Sequence, residues 1–242
     1  MILIGKKLKC TPFNDSRGHY GESGQLHIAE DIKGTRFLVK TKPADVTNEF
    51  VVHRLARIIG VPTSEAVLID NGSFKEVGIV FVKSFKRILM DDFIGDDIYP
   101  DDSPYLADLI SYLALRDMVA MGDNHQIATA RKRLISFDYA DSFFLSDAAL
   151  GVMCSLNTCS FQSQAFADQI ILRRELYSIT RTLQRPLNDF IIDAYCKPLF
   201  NFLDADLTPI IRDLEACFPE IVPKFYSKCF DIIRKAINEF SR

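Results

Sequence analysis

The hydrophobic period changes once along this chain, and that change limits the fold more than any single motif does. Up to about residue 85 the apolar residues come in short runs, RFLVKT at 36–41, EAVLID at 65–70 and GIVFVKSF at 78–85. They are β-branched or apolar and bounded by Gly, Pro and Asn signals, so they predict strands. One helix interrupts them. In DVTNEFVVHRLARIIGVP the residues Phe50, Val51, Leu55, Ile58 and Ile59 recur at helical spacing, Asp45 or Thr47 offers a cap, and Gly60 with Pro62 marks the end. After the acidic stretch MDDFIGDDIYPDDSP the period becomes helical. Tyr105, Leu106, Leu109, Ile110, Leu113, Met118 and Val119 share one face of a helix over 104–121. Further helices over 163–241 are punctuated by Pro186, Pro198, Pro209, Pro219 and Pro223. Only 126–137 break this regime, where QIATA and RLISF around Arg131 and Lys132 read as a hairpin. The pattern predicts an α+β chain in two lobes: a small β-rich lobe with one helix over about 1–85, an interlobe linker over about 86–103, and a larger helical lobe over about 104–242 carrying the hairpin. A cleft between two lobes is where a site belongs.

Composition excludes several classes. A chain of 242 residues that is 48% hydrophobic and 25% charged is globular and large enough to bury a core without staples. Its net charge of -3 argues against general nucleic-acid binding, which depends on neutralising phosphates with Lys and Arg. Cys10, Cys154, Cys159, Cys196, Cys217 and Cys229 are scattered without a CxxC pair, which argues against zinc and suits a reducing compartment. The start, MILIGKKLKC, places its apolar run before its lysines, the reverse of a secretory signal, and no segment has the length of a membrane span. The expected setting is cytoplasmic, with no membrane association.

The candidate chemistry rests on four short stretches. Lys40 ends the strand FLVK, and Glu49 opens the next helix where it can pair with that ammonium. Upstream, Gly18, Gly21 and Gly24 in SRGHYGESGQLHI precede a strand and would let backbone amides approach a phosphate. Downstream, GDNH presents Asp123 and His125 on a loop before the hairpin, and SFDYA presents Asp138 where RLISF ends. Phosphoryl transfer needs little more: a clamp on nucleotide phosphates, a carboxylate for magnesium and a group that orients the acceptor hydroxyl. Each part alone has an everyday explanation as a surface ion pair, a turn-rich hairpin or a loop cap. Their order along the chain carries the reading.

With RFLVK, TNEFVVHRLARIIGVPTSEAVLI, GDNH and SFDYADSF in that order, the chain resembles the HipA-like kinases over about residues 20–145. That family shares its catalytic layout with phosphatidylinositol 3- and 4-kinases. The resemblance implies a two-lobed protein-kinase-like fold and an ATP and Mg2+ cleft. In it Lys40 binds phosphate, Asp123 is the catalytic aspartate with His125 beside it, Asp138 holds magnesium, and Phe81 and Val82 contact adenine. A Ser or Thr hydroxyl of a protein is the acceptor implied, although AMP transfer would use the same residues. A regulatory protein partner is compatible with it.

One position departs from the family pattern D-x-H-x-x-N, whose Asn is a second metal ligand: the sixth residue here is Ala128. Alanine cannot ligate magnesium, and Gln126 is the nearest residue able to take its place. The competing expectation is therefore a pseudokinase or interaction module. The remaining features have plainer readings. The pairs Asp91 and Asp92, Asp96 and Asp97, and Asp101 and Asp102 suggest a solvated linker, His53 a helix-surface residue, and Asp141 a cap for the segment that follows it.

Overall fold

The structure is a computed structural model that describes residues 2–4, 8–12, 27–70, 72, 75–80, 86–88, 103–122, 127–130, 133–170, 172, 180–181 and 183–241. Strands β1 (Ile2–Ile4), β2 (Lys9–Pro12), β3 (His27–Glu30), β4 (Arg36–Lys40), β5 (Ala66–Asp70) and β6 (Lys75–Val80) form one sheet in the order β1-β5-β6-β4-β3-β2. Every pairing is antiparallel except β1 with β5, where Ile2 lies opposite Leu68. The apolar start is thus an edge strand, which its three residues were too short to announce. Alternation along the strands sorts the side chains by face. Ala29, Phe37, Val39, Val67 and Ile69 form one buried cluster, while Ala66, Leu68 and Val77 join the main core.

Helix α1 (Pro43–Ile59) packs on β5 and β6, burying Phe50, Val51, Leu55 and Ile59 but leaving Ile58 exposed. Its N-cap is Lys42, whose side chain makes no capping bond, rather than Asp45 or Thr47. Pro43 opens the helix, where a missing N–H costs nothing. The Ala44 amide instead donates to Asp147 Oδ1 at 2.8 Å, from 103 residues away. At the other end Gly60 adopts φ +84°, and Asn201 Nδ2 donates to the Ile59 carbonyl at 2.8 Å. A Cβ at Gly60 would meet nothing closer than 3.5 Å, so only the left-handed backbone resists substitution. Gly60→Ala is expected to cost about 1 kcal/mol, measurable by urea unfolding.

Strands β7 (Lys86–Ile88), β8 (Ile127–Ala130) and β9 (Arg133–Ser136) form a second antiparallel sheet with β8 in the centre. The expected hairpin is therefore two of three strands, and the third comes from the span read as linker. Helix α2 (Pro104–Met118) packs on β9, and its buried Asp108 accepts from Arg133 Nη2 at 2.6 Å, Arg133 Nε at 2.8 Å and the Leu134 amide at 3.0 Å. After β9 come α3 (Asp147–Leu156), α4 (Ser160–Ala167), α5 (Asp189–Asp204), α6 (Thr208–Glu215) and α7 (Ile221–Phe240). Pro198 does not punctuate this region: it is buried inside α5. It lacks the N–H that would reach the Ala194 carbonyl, and Ser111 Oγ from α2 donates there instead at 3.2 Å. Pro209 and Pro223 fall in the first turns of α6 and α7, where that donor has no helical partner. No described helix is long and apolar enough to cross a membrane.

Candidate active site

Lys40 ends β4 on the face that α1 covers, and its ammonium meets two carboxylates. Nζ contacts Glu49 Oε1 from α1 and lies 2.5 Å from Asp138 Oδ1, just beyond β9. Glu49 is fully buried, Lys40 is 12% exposed and Asp138 is 36% exposed. These three sequence-predicted residues come together from three separate elements. Gly18, Gly21, Gly24, Phe81, Val82, Asp123, His125 and Gln126 lie outside the described residues, as do the three aspartate pairs.

Burial and pairing oppose one another in the cluster. Burial disfavours the Glu49 carboxylate, but the Lys40 charge and the contact with His53 outweigh it and hold the carboxyl down to about 2. Burial likewise works against the Lys40 ammonium, yet Glu49 and then Asp138 raise it above its ordinary value. At Asp138 the balance goes the other way. Burial raises the carboxyl, Lys40 draws it down and Glu49 pushes it up, leaving it above the ordinary range. One ammonium shared by two carboxylates leaves a net negative charge on the more open one. A hard cation with oxygen ligands fits Asp138 on that count. Among the described residues no group of three or more His, Cys, Asp or Glu is placed to hold a metal.

The segment carrying Asp138 has an unusual backbone. Asp138, Phe143 and Phe144 have φ of +64°, +57° and +53°. Aspartate tolerates this region, but a bulky aromatic does so only when its surroundings compel it. Phe143 is buried, with ring centroids 5.4 Å from Phe166 and 5.0 Å from Tyr226. Its amide donates to the Val119 carbonyl at 2.6 Å, and the Gly122 amide donates to the Asp141 carbonyl at 3.2 Å. The chain leading to Asp123 therefore runs bonded alongside the Asp138 segment. Ser146, not Asp141, caps α3, its Oγ accepting from the Ala149 amide at 3.2 Å.

Two buried side chains of α1 that sequence reading missed bind the same segment. Asn48 Nδ2 donates to the Ala140 carbonyl at 2.6 Å and the Leu145 carbonyl at 3.2 Å, while its Oδ1 accepts from Tyr226 at 2.8 Å. His53 is not a helix-surface residue: it is fully buried. Its Nε2 lies 3.2 Å from Glu49 Oε2, an electrostatic contact off the line of a straight hydrogen bond. Its Nδ1 lies 2.7 Å from Thr63 Oγ1 and 3.1 Å from the Ser64 carbonyl, and its ring meets Tyr139 edge-on at 4.7 Å. Thr63 in turn donates to the Ser136 carbonyl at 3.1 Å, and Tyr139 bonds to Ser136 Oγ. The usable sequence signal was spacing: His53 is one helical turn from Glu49 and so shares its face.

A lysine on a sheet strand, a helix glutamate and a strand-end aspartate, set between a sheet and a mostly helical part, make this a kinase-like fold. No protein-family model matches the sequence, and no curated protein matches it. Among solved structures it is similar to the Helicobacter pylori proinflammatory kinase CtkA, at 13% identity and a TM-score of 0.54, over 90% of this chain and 95% of that one. It also matches HipA in the Shewanella oneidensis MR-1 toxin–antitoxin complex with HipB and operator DNA, at 11% identity and a TM-score of 0.48, over 96% of this chain and 65% of that one. The likeness to CtkA is one of fold, and it is the fold that the HipA-like motifs imply.

Proposed function

We propose that this chain is an ATP- and magnesium-dependent phosphotransferase of the HipA-like kind, acting in the cytoplasm on a Ser or Thr hydroxyl of a protein. The observation that carries the reading is the Lys40 ammonium held between Glu49 and Asp138. Lys40 binds the nucleotide phosphates, and Glu49 keeps it there. Asp138 holds the metal, with Gln126 the candidate for a second ligand. Held there, magnesium would supply positive charge to the phosphate oxygens. Asp123 accepts a hydrogen bond from the acceptor hydroxyl and takes up its proton, with His125 orienting the loop. Backbone amides near Gly21 and Gly24 cover the phosphates, and Phe81 and Val82 contact adenine.

A second reading, a pseudokinase, is favoured by the position of Ala128. It lies buried in β8, opposite Ile135 on one side and Arg87 on the other, so a strand occupies the place of the family's Asn. Thermal unfolding with and without ATP and magnesium separates the two. At about a hundredfold over Kd the nucleotide is expected to add about 2.7 kcal/mol. Stabilisation accompanied by phosphate on a protein supports the kinase, and stabilisation without transfer supports the pseudokinase. No stabilisation by any nucleotide overturns the kinase and supports an interaction module.

A further inference from the structure

We infer that His53 is a positioning residue for Lys40, holding Glu49 from behind so that its other oxygen stays on the ammonium. This rests on the proposed nucleotide-binding role of Lys40 but has its own geometry. Glu49 is fully buried and engaged at both oxygens, Oε1 by Lys40 and Oε2 by His53 at 3.2 Å. A carboxylate held at only one oxygen can turn about its last side-chain bond, and a second contact removes that freedom. His53 is itself fixed from the opposite side. Its Nδ1 lies 2.7 Å from Thr63 Oγ1 and 3.1 Å from the Ser64 carbonyl, and the Tyr139 ring closes off its edge at 4.7 Å.

Thr63 also holds the end of β9, which leads into Asp138. It forms a bridge with Ser136 and donates to the Ser136 carbonyl at 3.1 Å. Tyr139, bonded to Ser136, directly follows Asp138. A continuous, largely buried line therefore runs from Lys40 through Glu49, His53 and Thr63 to Ser136 and Tyr139, returning beside Asp138. The imidazole has two polar edges a fixed distance apart, which an apolar side chain of similar volume cannot supply. The geometry assigns it to setting the spacing between both carboxylates that meet Lys40.

The two ring nitrogens can be tested separately, because glutamine puts its amide nitrogen where Nε2 stands and asparagine puts it where Nδ1 stands. The readout is the rate at which acetic anhydride acetylates Lys40 in the nucleotide-free protein, followed by mass spectrometry. His53→Met is expected to speed Lys40 acetylation about tenfold, the scale of losing one short electrostatic contact to a buried carboxylate. His53→Gln should return the rate to near wild type, and His53→Asn should not. Lys75, paired with Asp70 at 2.6 Å, reports on folding and should react at the wild-type rate throughout. If His53→Met also exposes Lys75, Thr63→Val decides: a faster Lys40 with an unchanged Lys75 supports the role. A wild-type Lys40 rate in the folded variant, or rescue by asparagine as good as by glutamine, overturns it. Nucleotide binding is measured alongside. A wild-type protein that binds no nucleotide yet shows this Lys40 pattern keeps His53 as the positioning residue and overturns the kinase reading instead.

Discussion

Asp138→Asn is expected to abolish magnesium-dependent phosphate transfer, lowering turnover by about a thousandfold or more, while changing stability little. Asparagine is the informative replacement. Asp138 holds φ +64°, a backbone that asparagine adopts as readily as aspartate and alanine does not. The variant thus removes a charge without straining the turn, and it leaves the Lys40 ammonium paired with Glu49. Asp138→Ala should lose activity equally but unfold more easily, by about 1 kcal/mol for the strained backbone. Transfer of labelled phosphate and urea unfolding, measured on both variants, separate chemistry from conformation. Asp123→Ala is expected to match the activity loss, and full activity in both aspartate variants would remove the site assignment.

Lys40→Met is expected to be the most destabilising single change in the cluster, by about 3–5 kcal/mol at neutral pH, because it leaves the Glu49 charge buried without its partner. Its pH dependence gives a sharper signature. In the native protein the Glu49 carboxyl is held at about 2 against an ordinary 4.5. A depressed carboxyl contributes stability that is fully present above the unfolded value and is lost as pH falls through the folded one. The wild type should therefore lose about 3 kcal/mol between roughly pH 4.5 and pH 2. Without Lys40 the stronger of the two influences that oppose burial is gone, and burial pushes the Glu49 carboxyl up against the His53 contact that remains. The slope then changes sign, and Lys40→Met should gain stability as pH falls from neutrality toward 5. Guanidinium unfolding at several pH values compares the two slopes, and parallel slopes would show that Lys40 does not govern the Glu49 charge.

Much of this arrangement could be read from local pattern. The short apolar runs in RFLVKT and EAVLID placed β4 and β5, the helical spacing from Phe50 to Ile59 placed α1, and Gly60 marked its end. Lys40 and Glu49 could be paired because nine residues separate a strand end from the first turns of the next helix. Residues whose partners are distant in sequence were not legible. His53 and Asn48 look like ordinary helix residues until Thr63, Tyr139, Ala140 and Tyr226 surround them. Asp147 gave no sign that it caps a helix 103 residues upstream. Pro198 looked like a helix breaker because the donor that replaces its own, Ser111, belongs to another helix. In each case propensity was overruled by a tertiary hydrogen bond.

The anchoring of α1 also bears on when the charged cluster can assemble. Its bonds to the rest of the chain span large sequence separations: 103 residues from Ala44 to Asp147, 142 from Ile59 to Asn201 and 178 from Asn48 to Tyr226. Contacts that close such long loops form late, since chain entropy must be spent before they repay it. The charged cluster draws on both ends of this network, so no partly folded chain or early fragment can assemble it. Assembly of the Lys40, Glu49 and Asp138 cluster and completion of the native packing become one event, which waits until α7 has docked.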